Sequence, residues 1–133
     1  MHVSNGLYIL VVDDDVRCGT SLGEFLEGEG HVISTATRGR EAVTIAQRFR
    51  REDRRFELSI LDFHVPDMSG LETFESLIGL LPEMRAIFIS GDASESLEGV
   101  VRSAGGLALI RKPLDLQSLR RTIDDYWKGL QWG

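Results

Sequence analysis

The sequence predicts an α/β protein built on one doubly wound, five-stranded parallel sheet of order 2-1-3-4-5, with five helices on its two faces. Short apolar runs alternate with amphipathic stretches from one end of the chain to the other. Two of those runs, Leu7-Tyr8-Ile9-Leu10-Val11-Val12 and Ala86-Ile87-Phe88-Ile89, are apolar throughout, as strands covered on both faces require. The runs expected at the middle of the sheet also give way to polar residues, which collects those residues beyond the carboxyl ends of the strands.

Each element has its own warrant. The first strand is expected at Leu7 to Val12, and the first helix is striped by Val16, Leu22, Phe25 and Leu26 and ends near Gly28 and Gly30. His31 to Ala36 is the second strand, and Ala42, Ile45, Ala46 and Phe49 stripe the second helix. Phe56 to Leu61 is the third strand. Leu71, Phe74, Leu77, Ile78 and Leu81 mark the third helix, stopped by Pro82, which cannot continue a helical ladder. After the fourth strand, Arg85 to Ile89, the helix carried by Leu97, Val100, Val101 and Ala104 is the weakest, because Gly99 in its interior costs about 1 kcal/mol against alanine. Leu107 to Ile110 is the fifth strand. The last helix starts from Asp115 as N-cap and lines up Leu116, Leu119, Ile123, Trp127 and Leu130.

At 133 residues, 42% hydrophobic and 27% charged, the chain has the size and composition of one globular domain. No apolar run approaches the roughly 20 residues that span a bilayer, and the opening residues lack the zones of a secretory signal. One cysteine, Cys18, cannot form an internal disulfide, and a cytoplasmic location is expected. A net charge of −6 argues against a nucleic-acid-binding surface and gives no sign of a membrane-binding one. Arg48, Arg50, Arg51, Arg54 and Arg55 depart locally from that balance and read as a solvated helix end and loop, where late cations complement the helix dipole, in preference to a phosphate-binding patch.

The polar strand ends carry the chemistry. Asp13-Asp14-Asp15 follows the first strand, Asp62 the third and Ser90 the fourth, and the fifth leads to Lys112. Singly these could be helix caps, a turn-former and a surface cation. Together they open onto one crevice. Two carboxylates about 4 Å apart repel by about 4 kcal/mol at an effective dielectric near 20, so a fold that gathers them calls for a cation, and oxygen-only ligands suit Mg²⁺. A carboxylate beside Mg²⁺ can attack phosphorus, with the metal, an ammonium such as Lys112 and a hydroxyl such as Ser90 covering the phosphoryl oxygens.

In order and spacing, Ile9-Leu10-Val11-Val12-Asp13-Asp14-Asp15, Leu61-Asp62-Phe63-His64-Val65-Pro66-Asp67-Met68-Ser69-Gly70, Ile87-Phe88-Ile89-Ser90-Gly91 and Ile110-Arg111-Lys112-Pro113-Leu114 resemble the receiver domain family of two-component response regulators, including the chemotaxis response regulator. The resemblance covers nearly the whole chain and implies a flavodoxin-like fold and one receiver domain over 1–133, core about 7–128, with no output domain. It makes Asp62 the phosphoacceptor, Ser90 the switch hydroxyl and Lys112 the phosphate-pairing cation. Mg²⁺ would be held by Asp13 through water and by Asp14, Asp62 and the backbone carbonyl of His64 directly, and the bond before Pro113 would be cis. The implied partners are a histidine kinase or phosphotransfer protein and a downstream protein target, reached by the fourth helix, fifth strand and fifth helix; a homodimer is also open. Such a domain is a switch that catalyses its own phosphorylation and dephosphorylation rather than a turnover enzyme.

The chain departs from the family's pattern at Leu109, where an aromatic residue often reports phosphorylation. His64 and Asp92 occupy positions that tune phosphate lifetime in the family. Two other readings stand beside this one. A magnesium-dependent phosphohydrolase with an aspartyl nucleophile needs a second aspartate where His64 stands, and a substrate-binding cap besides. An interaction module that no longer switches would ordinarily have lost an acidic residue or the lysine. Cys18 is expected to be a small, at least half-buried side chain, Trp127 a core residue, and His2 and His31 surface or edge residues.

Overall fold

The computed structural model describes the backbone of residues 6–91 and 95–132, with side chains except at 95 and 127–132. The chain runs β1 (Tyr8–Val12), α1 (Val16–Gly28), β2 (Val32–Ala36), α2 (Gly39–Arg51), β3 (Leu58–Asp62), α3 (Gly70–Leu80), β4 (Arg85–Ser90), α4 (Glu95–Ser103), β5 (Ala108–Arg111) and α5 (Leu116–Trp132). All strand pairs are parallel and the order is β2-β1-β3-β4-β5, the doubly wound, flavodoxin-like arrangement expected from the sequence.

Strand alternation sorts the apolar residues into two layers. Leu10, Val12, Leu61, Ala86 and Phe88 face Ala42, Ala46 and Phe49 of α2, Phe74 and Leu77 of α3 and Val101 of α4. Ile9, Val11, Leu58, Ile60, Ile87 and Ile89 face Leu22 and Leu26 of α1 and Leu119 and Ile123 of α5. β3, at the centre, is buried at every residue, whereas the edge strand β2 is fully buried only at Ala36. Tyr8, apolar in the sequence pattern, is 36% exposed, and its ring carries the Arg54 guanidinium 5.8 Å from the centroid. His31, expected at the surface or an edge, stands just before the edge strand β2 but is buried; its Nδ1 accepts the Leu7 N–H at 3.0 Å.

The elements shift slightly against the apolar runs, and backbone pairing explains the shift. β3, β4 and β5 run one residue past their last apolar positions because Asp62 pairs with Ile89 and Ser90 with Arg111. A polar side chain does not stop a strand whose neighbours continue. Phe56 lies outside β3 and is nonetheless core, its ring stacked on Phe49 at 4.1 Å.

Two helix starts are capped by the aspartates the sequence offers. Asp15 accepts from Arg17 and Cys18 N–H at α1, and Asp115 accepts from Gln117 N–H at α5. At α3, Ser69 and Glu72 form a reciprocal capping box. Arg54 lies over the Phe49 ring and pairs with Glu52, and Arg55 pairs with Glu83, at the amino ends of the strands. No helix among the described residues is long and apolar enough to cross a membrane. The expected core role of Trp127 falls outside the described side chains, as do Trp132 and His2.

Candidate functional site

Parallel pairing brings the polar strand ends together. Val12 of β1 pairs with Leu61 of β3, so the residues one step beyond, Asp13 and Asp62, are neighbours. Across β3 and β4, Asp62 pairs with Ile89, and Ser90 is the next residue, its side chain buried. Lys112 is tied to β4 by its N–H, which donates to Ser90 O at 2.8 Å. The Lys112–Pro113 bond is cis.

From there the Lys112 ammonium reaches into the crevice. Nζ lies 2.9 Å from Asp62 Oδ2 and 3.1 Å from Asp13 Oδ2. Its partners are nearly solvent-free, with side-chain exposures of 7% for Asp62 and 0% for Asp13 against 26% for the lysine. Burial alone would lower the lysine pKa, but hydrogen bonds to Asp62 and Asp13 and their negative charges outweigh it, so Lys112 is held above the ordinary lysine value and stays protonated.

One ammonium does not balance the acids gathered here. Asp13, Asp14 and Asp62 each present a carboxylate oxygen, and these oxygens lie within 4.8 Å of one another. Asp13 Oδ1 accepts the Asp15 N–H at 2.9 Å and, less directly, Lys112 at 3.3 Å. Asp13 Oδ2 is fully buried and, although near the ammonium, has no hydrogen bond of acceptable angle. A buried carboxylate oxygen without a donor is costly. An all-oxygen donor set with negative charge in excess and such an oxygen within it fits a hard divalent cation.

The loop after Asp62 is held just as closely. His64 N–H donates to Asp62 Oδ1 at 3.0 Å, and Gly70 N–H donates to Phe63 O at 2.8 Å. Gly70 has no room for a side chain, since an added Cβ would lie 2.8 Å from Asp62 O and Phe63 Cα. The His64 side chain is exposed, so of the two expected tuning residues it is accessible from outside; Asp92 falls outside the described residues.

The residues named from the sequence therefore converge on one crevice: Asp13, Asp14, Asp62 and Lys112 by their side chains, and Ser90 and His64 at its margin. Asp15 does not join them, because its carboxylate caps α1. Cys18 is half-buried on the first turn of α1; burial, with Asp13 beside it, pushes its thiol up to about 12, so it is protonated and poorly nucleophilic at neutral pH. Its place beside Asp13 comes from its standing three residues after the cap, a helical spacing visible in the sequence but not expected there to reach the site.

The response regulator receiver domain family model matches residues 9–124. The chain belongs to that family. It is a receiver domain of a two-component response regulator. The transcriptional regulatory protein ZraR of Escherichia coli O157:H7 is 29% identical over 116 residues, covering 87% of this chain and 25% of that protein. The chain thus spans about a quarter of the length of the first curated relatives it matches. Among solved structures, a CheY-like receiver domain protein from Methanospirillum hungatei JF-1 superposes with a TM-score of 0.83 at 29% identity, covering 96% of this chain and 98% of that one. The CheX–CheY–BeF3–Mg+2 complex from Borrelia burgdorferi gives 0.82 at 26% identity, covering 92% of this chain and 90% of that chain. The receiver fold agrees with both likenesses.

Proposed function

We propose that this receiver domain accepts a phosphoryl group on Asp62 in a Mg²⁺-dependent reaction, the donor being a histidine kinase or phosphotransfer protein. The observation that carries the reading is the Lys112 ammonium lodged 2.9 Å from Asp62 and 3.1 Å from Asp13, with Asp14 completing an acidic cluster one cation short of balance. The presence of BeF3 and Mg+2 in the Borrelia burgdorferi complex supports it by likeness.

Asp13, Asp14, Asp62 and the His64 carbonyl would hold Mg²⁺, which when bound supplies positive charge against the phosphoryl oxygens. The rest is the chain's own work. His64 N–H and the Lys112 ammonium each hold one oxygen of the Asp62 carboxylate, fixing its approach to phosphorus. Attack forms the oxygen–phosphorus bond of an aspartyl phosphate as the donor histidine's nitrogen–phosphorus bond breaks. Lys112, held protonated by its two carboxylate neighbours, stays to neutralise the new charge. The Ser90 hydroxyl, at the end of the strand beside Asp62, turns to the phosphoryl group, and α4, β5 and α5 present the changed surface to a downstream protein or to a second copy. Loss of the phosphoryl group to water, shaped by the exposed His64, resets the switch. In this reading residues 1–133 work as one receiver domain.

Incubation with a small phosphodonor and Mg²⁺, then intact mass, tests the assignment. The parent should gain one phosphoryl group and Asp62→Asn none; equal uptake by the two would overturn the choice of Asp62.

A further inference from the structure

The helix α2 begins without a cap of its own. Its N-cap residue, Arg38, has extended backbone angles and no side-chain hydrogen bond to the helix. The missing acceptor comes from another part of the chain: Asp67, in the loop between β3 and α3, accepts Gly39 N–H on Oδ1 at 2.9 Å and Arg40 N–H on Oδ2 at 3.0 Å. Both oxygens of one carboxylate therefore serve the first two residues of a helix 28 and 27 positions away. These bonds, that to Arg40 N–H foremost, hold the Asp67 carboxyl below the usual aspartate value.

The joint is close-packed as well as hydrogen-bonded. A Cβ at Gly39 would lie 2.7 Å from Thr73 Oγ1 of α3 and 2.8 Å from Met68 Sδ of the loop. The same loop is tied at its start by His64 N–H to Asp62 and at its end by the Ser69–Glu72 box. His64 and Ser69 also face each other across an isolated antiparallel bridge. The segment carrying the His64 carbonyl is thus closed on itself at both ends and pinned in its middle to α2 by Asp67.

We infer that Asp67 is a positioning residue for the divalent-cation site: by clasping the amino end of α2 it fixes the loop that turns the His64 carbonyl toward the ion, and so couples α2 to Mg²⁺ affinity. The inference rests on the Mg²⁺-dependent reading above. Partners that orient a metal ligand alter metal affinity by about 10–100-fold when lost, and Asp67, which reaches His64 only through the loop, belongs at the lower end of that range.

The test measures Mg²⁺ affinity by titration calorimetry, beside phosphoryl uptake, in the full chain. Asp67→Ala should weaken Mg²⁺ binding about tenfold, and its uptake rate should recover to near the parent's at saturating Mg²⁺. Asp67→Asn, which keeps one accepting oxygen, should fall between the two and decides the matter if the alanine variant does not fold. Ala46→Gly, which loosens the middle of α2 and leaves the clasp intact, should lower thermal stability without moving the Mg²⁺ constant. Parent-like Mg²⁺ affinity in both Asp67 variants, or an equal shift in Ala46→Gly, would overturn the clasp. A parent that neither binds Mg²⁺ nor takes up phosphoryl would instead overturn the reading of the site itself.

Discussion

The two ends of the sheet carry charge in opposite ways. At the carboxyl end, Lys112 stands between Asp13 and Asp62 with side-chain exposures of 26%, 0% and 7%. At the amino end, Arg55 pairs with Glu83 at exposures of 64% and 74%, and Arg54 with Glu52 at 46% each. In the solvated set Arg54 meets Glu52 alone and Arg55 lies between Glu83 and Glu57, and each pair is worth of order 0–1 kcal/mol because water screens it. In the buried set two carboxylates share one ammonium and a third stands within reach, so the imbalance persists where water cannot screen it. A cluster that is both desolvated and out of balance is arranged for a ligand; one whose charges stand in water, as those of Arg54, Arg55 and Glu83 do, is a solvated surface.

The largest effect should come from breaking the buried end. Lys112→Ala removes the sole cation among the described groups of the cluster, and phosphoryl uptake should fall by about 10²–10³-fold, as for loss of one preorganised donor to a developing anion. Initial rates with a small phosphodonor at saturating Mg²⁺ check this.

Next comes Asp14→Asn. The exposed Asp14 carboxylate adds repulsion in the absence of metal, so the variant should melt at or above the parent's temperature in chelator. With Mg²⁺ at about 100 times its dissociation constant the parent should gain about 2.7 kcal/mol, and most of that gain should vanish in the variant. Thermal scans with and without Mg²⁺ separate the two terms.

Acid should expose the helix clasps. Asp115, bonded first to Ser118 and then to Gln117, and Asp67 both have folded-state pKa values below the ordinary 3.8. Their contribution is therefore complete above that value and is lost as pH falls through the lower, folded one. Denaturant midpoints measured on descending into that range should drop less steeply for Asp115→Asn than for the parent. The smallest effect belongs to the solvated end: Arg55→Ala should change stability by no more than about 1 kcal/mol and leave Mg²⁺ affinity and phosphoryl uptake unchanged.

Much of this contrast was legible in the sequence because the fold is written in apolar runs and the site in the polar residues at their carboxyl ends. Asp13, Asp62, Ser90 and Lys112 each stand immediately beyond a strand or one residue into its end, so sheet order alone brings them together. The arginine-rich stretch is a solvated helix end and loop for an equally local reason: Arg48, Arg50 and Arg51 stand in the last turn of α2, and Arg54 and Arg55 follow it exposed. What escaped was long-range and polar. The bonds from Asp67 to Gly39 and Arg40 span 28 and 27 residues, and no periodicity encodes such a pairing. The burial of His31 escaped likewise, since the Leu7 N–H that its Nδ1 accepts lies 24 residues away. The capping box at Ser69 and Glu72 was within reach, because its three-residue spacing is a local signature.

The central claim is that Asp62 is the nucleophile of the buried, unbalanced end. Phosphorylating the parent in Mg²⁺, reducing the acyl phosphate with borohydride and mapping the product by peptide mass tests it most directly. Homoserine at position 62 is the predicted result; homoserine at position 13 or 14 instead, or at no aspartate, would contradict the account.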